Sequence, residues 1–251
     1  MHDIKPFLLL QLRPEDEVAD NEAEAFMKFG GLEAAQVHRV RMEKTGIPPI
    51  KLTDYSGVIV GGGPSNVSDS ENVKPPEQKR FEAELYELLD EIIAADFPYL
   101  GTCYGIGTLA RFLGGRVSKE RYGESAEAIT VNLTEEARDD PLTKDLPQSF
   151  RAFAGHKESC QELPPGATLL ASSPGCPIHM IRVKQNIYAS QFHTELDKEG
   201  LALRIKFYKH LGYFPPEEAE MLIAAAEHEE ITVPGTILRR FIMRYSKPAA
   251  N

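Results

Sequence analysis

Three short apolar runs, each closing on glycine or proline, organise the first half of the chain: FLLLQL leading to a proline turn at residues 7 to 12, GVIVGGGP at 57 to 64 and FPYLGTCYG at 97 to 105. The first ends in Pro and charges; the other two end in glycines. Continuous apolar runs of this length suit strands covered on both faces, where alternating runs would suit half-exposed ones. Between the runs the period becomes helical. NEAEAFMKFGGL predicts a helix ended by Gly30 and Gly31, and a helix over 76–95 puts Phe81, Leu85, Leu88, Leu89 and Ile92 on one stripe. Behind the third run, GIGTLARFLGG predicts a short helix stopped by Gly114 and Gly115. Strand and helix thus alternate three times. That order predicts an α/β fold with a mostly parallel, flavodoxin-like three-layer sheet, and places functional loops at the C-terminal ends of its strands.

The middle is less regular. SAEAITVNLTEEA, FRAFAGHKESC, GATLLASSP, PIHMIRVKQ and NIYASQFHTEL predict short strands and turns, arranged as an antiparallel extension of the sheet. LDKEGLALRIKFYKHLGYF predicts a helix closing a domain of residues 1–213, and PPEEAEMLIAAAEHEE and VPGTILRRFIMRYSK predict a helical extension over 214–251, each helix entered through proline. RRFIMR fits an amphipathic helix packed on its own core with solvated arginines better than it fits a partner surface.

Composition narrows the function. A net charge of -10 and a pI near 5.3 disfavour nucleic acid and acidic membrane surfaces as partners. Three cysteines make no disulfide framework, the apolar core of MHDIKPFLLLQL is short for a secretory signal, and no run reaches the roughly 18 apolar residues of a membrane span. A reduced, cytoplasmic protein is expected. CPIHM is too sparse for a metal site, since zinc takes about four convergent ligands, so Cys160 and Cys176 are read as structural or exposed and His179 as a strand residue; neither a metal nor a cofactor is expected.

The chemistry concentrates at the strand ends. G-x-C-x-G, residues 101 to 105, is the cysteine form of a nucleophile elbow, in which a strand turning sharply into a helix lifts the turn residue above the sheet edge. A helix N-terminus behind Cys103 favours its thiolate. The amide of Tyr104, next after the nucleophile, and that of Gly63 in GGGP would bind an oxyanion. In QFHTEL, His193 and Glu195 stand at i and i+2, on one face of extended chain, as a proton carrier and its orienting carboxylate. Each piece alone has a structural reading: free cysteine is commonly core, H-x-E a solvated pair and GGGP a turn. Their joint placement at predicted strand ends favours a site.

In these motifs the sequence resembles the class I glutamine amidotransferase superfamily over roughly residues 7 to 213. GVIVGGGP resembles its oxyanion strand, YLGTCYGIG its elbow and QFHTEL its Q-F-H-P-E motif. The resemblance implies Cys103 as nucleophile, His193 as acid and base, Glu195 as orienter, Gly63 and Tyr104 as oxyanion hole, and hydrolysis of glutamine to glutamate and ammonia through a γ-glutamyl thioester. AGHKES falls where the GMP synthetase branch carries its glutamine-binding loop, which implies Gly155, His156 and Lys157 at the substrate, largely through backbone; His156 as a polar loop residue is the other reading. Two departures stand out. Gly107 replaces the glutamine of G-x-C-x-G-x-Q, which helps hold the substrate, and Thr194 replaces the proline between His and Glu. No G-x-x-x-x-G-K-[ST] loop is present, so the chain does not activate an acceptor itself. Glutamine or another γ-glutamyl compound is the expected substrate, with a separate synthetase as partner and a homo-oligomer compatible with the chain. A free-standing γ-glutamyl amine or peptide hydrolase and a non-catalytic regulatory module are the alternatives.

Overall fold

The computed structural model of the chain describes residues 4–249. The strands in chain order are β1 (Phe7–Gln11), β2 (Val37–Arg41), β3 (Gly57–Val60), β4 (Tyr99–Thr102), β5 (Val117–Ser118), β6 (Glu124–Leu133), β7 (Ser149–His156), β8 (Ser159–Cys160), β9 (Ala167–Ser172), β10 (Met180–Val183) and β11 (Ile187–Ser190). The helices are α1 (Asp16–Gly30), α2 (Met42–Thr45), α3 (Pro76–Ala95), α4 (Tyr104–Phe112), α5 (Lys198–Tyr208), α6 (Ala219–Ala226) and α7 (Val233–Tyr245).

Nine strands form one sheet in the order β2-β1-β3-β4-β11-β10-β9-β6-β7. From β2 to β11 neighbours run parallel, and from β11 to β7 they run antiparallel, so the sheet is the expected mixed α/β one. The apolar runs become β1, β3 and β4, each buried along its whole length. Alternation across the sheet splits β1 between two cores. Leu8 and Leu10 join Leu85, Leu89 and Ile92 of α3 and Ile106 and Leu109 of α4 on one face. Phe7 and Leu9 join Phe26 of α1 and Ile237, Leu238 and Phe241 of α7 on the other.

Two features differ from the periodicity reading. β2, whose sequence VHRVR carries little continuous apolar signal, pairs in parallel with β1 at the sheet edge. α1 also begins at Asp16, ahead of the NEAEAF segment, because Val18 and Ala19 are buried in the same layer; it stops at Gly31 in the left-handed conformation (φ 65°). Two arginines of RRFIMR bind backbone of the chain itself, Arg239 donating to Gly30 O at 2.9 Å and Arg240 to Leu142 O at 3.1 Å, while Arg244 donates to the Tyr245 hydroxyl at 3.2 Å. Among the described residues no helix is long and apolar enough to cross a membrane.

Candidate active site

The site forms where β3, β4 and β11 end side by side. β11 pairs in parallel with β4, with Ser190 opposite Thr102, so the chain leaving β11 towards His193 emerges beside the chain leaving β4 towards Cys103. This register joins two motifs far apart in the chain, as the Gln191–Cys103 separation of 88 positions shows.

Cys103 is the single residue between β4 and α4, at φ 53° and ψ −93°. This is a costly conformation for a residue with a side chain, by roughly 1–3 kcal/mol, and it is held by a bond from the Cys103 amide to Ser190 O at 2.8 Å. The flanking glycines permit the bend for a steric reason. A Cβ on Gly101 would lie 2.8 Å from the Gly105 carbonyl carbon, and one on Gly105 would lie 3.1 Å from Val60 O. Tyr104 opens α4, so its amide has no carbonyl of that helix to bond, and among the described residues the Gly63 amide makes no backbone bond either.

Gly62 occupies the space between the motifs. A Cβ there would sit 2.7 Å from His193 Cε1, 3.2 Å from Cys103 Cβ and 3.1 Å from Arg13 Nη2, which places the imidazole, the thiol and a guanidinium around one glycine. His193 Nδ1 donates to Glu195 Oε1 at 2.7 Å, leaving Nε2 as the nitrogen available to the cavity. Glu195 is fully buried and also accepts from Arg204 Nη2 at 3.3 Å. Burial opposes its ionisation, but attraction to His193, the hydrogen bond from that ring and attraction to Arg204 prevail and hold the carboxyl well below its ordinary value. Burial also pushes His193 down, so the ring is neutral where an ordinary imidazole would begin to protonate.

The thiol departs from the sequence expectation of a thiolate at a helix N-terminus. Desolvation pushes Cys103 up to about 12, and the guanidinium of Arg13, pulling the other way, only partly offsets it. Burial thus favours the uncharged forms of both the thiol and the imidazole.

Two cavities meet at Cys103. One is lined by Arg13, Ala126, His193, Leu201, Arg204 and Phe214, among others. The other includes Asn66, Tyr104, Gly107, Lys157, Glu158 and Gln191. Gly63, Cys103 and Tyr213 border both. Of the expected substrate loop, Gly155 brings its carbonyl oxygen 4.0 Å from Cys103 Sγ. His156 borders the second cavity and its ring is buried, with Nδ1 2.9 Å from Glu158 O and Nε2 2.8 Å from Glu124 Oε2. Lys157 is drawn towards the C-terminal segment, donating to Leu211 O at 2.8 Å with its Nζ 4.5 Å from the Tyr213 ring centre.

Sequence reasoning missed several groups here. Glu158 accepts from the amides of Val67 and Ser68 at 2.7 and 2.8 Å, tying the substrate loop to the segment after GGGP. Gly107 faces it: a Cβ there would meet Glu158 Oε1 at 3.6 Å and Val67 Cγ2 at 3.5 Å, ordinary contacts that leave room for a side chain. Arg13 donates from Nε to Glu22 at 2.6 Å and from Nη1 to Tyr208 Oη at 3.3 Å, all within the interior. The available signal was position, since Arg13 directly follows an apolar run at the functional edge of the sheet. Glu22 and Arg204 gave no comparable signal, because each is one charged residue within a helix and only packing turns it inward.

A doubly wound sheet that carries a cysteine elbow at its parallel strand ends, with a carboxylate-held histidine beside it, defines an α/β protein of the elbow-nucleophile type. The class-I glutamine amidotransferase family profile matches residues 15–207, and the chain belongs to that family. It is 34% identical over 155 residues to a glutamine-hydrolyzing GMP synthase subunit of Pyrococcus abyssi, a match covering 61% of this chain and 72% of that relative. It is 31% identical over 148 residues to the GMP synthase of Thermosipho melanesiensis, covering 59% of this chain but only 25% of that longer protein. Its fold is similar to that of a glutamine amidotransferase from Thermotoga maritima, with a TM-score of 0.76 at 23% identity over 96% of this chain and 98% of that one. A glutamine amidotransferase from Methylobacillus flagellatus is similar in fold too, with a TM-score of 0.71 at 17% identity over 99% and 98% of the two chains.

Proposed function

We propose that the protein hydrolyses the γ-amide of glutamine with Cys103 as nucleophile, His193 as proton carrier and Glu195 as its orienting carboxylate. The observation that carries this reading is the 2.7 Å bond from His193 Nδ1 to Glu195, made beside an elbow cysteine that borders the same cavity as His193. With burial favouring the uncharged forms of both groups, the Cys103 proton passes to His193 as sulfur attacks the γ-carbonyl. The amides of Gly63 and Tyr104 receive the developing oxyanion. His193 then protonates the departing ammonia, leaving a γ-glutamyl thioester that water hydrolyses to glutamate.

The backbone of Gly155, His156 and Lys157 would border the substrate, with Glu158 bracing that loop. The match to a separate glutamine-hydrolyzing chain of a GMP synthase supports a partner role, in which ammonia passes to a separately encoded synthetase. The unit over 1–213 would carry the chemistry, and the extension over 214–251 would close the cavity through Phe214.

Glutamate release from glutamine by the purified chain, alone and with candidate synthetases, tests the proposal. A glutamine-mimicking electrophile should label Cys103, as read by mass spectrometry. Folded protein that neither releases glutamate nor takes the label would leave a non-catalytic module as the reading.

A further inference from the structure

Gly63, whose amide is one of the proposed oxyanion donors, lies outside every strand and helix. Among the described residues neither its N–H nor its C=O takes part in a backbone hydrogen bond. Glycine rotates more freely about φ and ψ than any other residue, so an untethered one would readily turn its amide away from the reacting carbonyl. Two contacts restrain it. Its Cα is seated against Leu12, where a Cβ would lie 2.5 Å from Leu12 Cγ and 2.7 Å from Leu12 O. Its carbonyl oxygen accepts from the Tyr213 hydroxyl at 3.3 Å.

Tyr213 is itself held in place. It lies between α5 and α6, directly after Gly212, whose left-handed conformation (φ 79°) turns the chain there. Its ring stacks on that of Tyr208 in α5, with centres 6.4 Å apart and planes at 29°. Lys157 Nζ lies 4.5 Å from the ring centre and is fixed by Leu211 O at 2.8 Å, while the Leu211 amide donates to Tyr208 O at 2.9 Å. A ring held by α5 and by the expected substrate loop thus delivers the hydroxyl to Gly63. Tyr213, Gly63 and Cys103 border both cavities, so this contact lies at the site itself.

We infer that Tyr213 is a positioning residue for glutamine hydrolysis, its hydroxyl fixing Gly63 so that the Gly63 amide stays aimed at the developing oxyanion; this rests on the oxyanion reading proposed above. The hydroxyl donates to Gly63 O, whereas Cys103 Sγ meets Gly155 O at 4.0 Å and Gln191 Nε2 at 3.9 Å. Its influence therefore falls on the tetrahedral state and spares the sulfur. Loss of the hydroxyl should cost rate and leave glutamine binding in place.

Tyr213→Phe in the full chain tests this, since it removes the hydroxyl and keeps the ring. Glutamine hydrolysis should show kcat about tenfold lower with KM within about twofold of the wild type. L-Glutamate γ-semialdehyde supplies a second measurement: sulfur bonds to the aldehyde carbon, the thiol proton passes to His193 and the oxygen is left as an oxyanion. Its inhibition constant should rise about tenfold in Tyr213→Phe, while alkylation of Cys103 by iodoacetamide, which forms no oxyanion, should keep its rate. Unchanged kcat and inhibition constant would overturn the inference and leave the glutamine reading intact. Equal slowing of the iodoacetamide reaction would place the effect on the sulfur and overturn it as well. Tyr213→Leu should match Tyr213→Phe in kcat, and a loss confined to Tyr213→Leu would assign the effect to ring packing and overturn the hydroxyl's role. Wild-type protein that neither releases glutamate nor binds the semialdehyde would remove this inference and the glutamine reading together.

Discussion

Two buried clusters in this molecule hold the same kinds of residue. In one, Cys103 lies beside His193, which is bonded to Glu195. In the other, Cys176 lies near His156 and His179, both bonded to Glu124, and the candidate ligand atoms of Cys176, His156 and His179 fall within 4.8 Å of one another. What separates them is which atoms remain free. Glu195 takes Nδ1 of His193 and leaves Nε2 at a cavity, whereas Glu124 takes Nε2 of both its histidines, at 2.8 and 2.6 Å, and the Cys176 thiol faces Ile178 O at 3.5 Å. Those imidazole–carboxylate separations are hydrogen bonds, shorter than the about 3.3 Å between two ligands of one zinc ion. Cys176 also lacks a strained turn and is fully buried, so nothing brings a carbonyl to it. Residue type therefore proposes chemistry, and the free atom and the open space decide it.

Substitutions should separate the clusters sharply. Cys103→Ala should abolish glutamate release without lowering the unfolding temperature, since it removes only a sulfur that borders open space, while Cys176→Ala should keep kcat within about twofold and cost roughly 1 kcal/mol by thermal unfolding. Equal losses of activity in the two variants would end the distinction. His193→Ala should lower kcat by roughly 10²–10⁴-fold, against little change for His179→Gln. Glu195→Gln should retain more activity than Cys103→Ala, because it disturbs the imidazole and leaves the sulfur in place.

The pH dependence sharpens the same contrast. Protonating His193 removes the base, and burial holds its value below the ordinary 6.5, so the acid limb of kcat/KM should fall below pH 6.5. The Glu195 carboxylate raises His193, so Glu195→Gln should move that limb lower still. Glu124 acts on stability instead. Burial would raise its carboxyl, but hydrogen bonds from His156 and His179 outweigh this and hold the folded value well below the unfolded 4.5. Its stabilisation is therefore present above pH 4.5 and lost as pH falls from there, and Glu124→Gln should flatten the acid side of a melting-temperature curve.

The smallest effect is expected at Gly107. A Cβ there meets only ordinary contacts, so Gly107→Gln should fold and lower the KM for glutamine severalfold with kcat little changed, as steady-state kinetics would show. An unaltered KM would mean that Glu158 already does what the absent side chain would do.

Much of this was legible in the chain. Long apolar runs closing on glycine locate strands buried on both faces, and the α3 stripe of Phe81, Leu85, Leu88, Leu89 and Ile92 is buried throughout. The elbow was readable because the steric demand at Gly101 and Gly105 is local to five residues. β2 was not, since an edge strand needs little apolar sequence once β1 offers it hydrogen bonds. Nor was the upward push on the thiol, because a helix N-terminus is a local feature, whereas the desolvation comes from the elements packed around the sulfur.

The sequence alone thus determined the alternating architecture and the residues able to carry the chemistry, because apolar period and glycine sterics act over a few positions. Tertiary structure decided the rest. The parallel register of β4 with β11 brought His193 to Cys103, and packing turned Arg13, Glu22 and Arg204 inward around them. The same packing set which nitrogen of His193 stays free and shaped the two cavities that border the thiol, since those outcomes depend on distances between segments far apart in the chain.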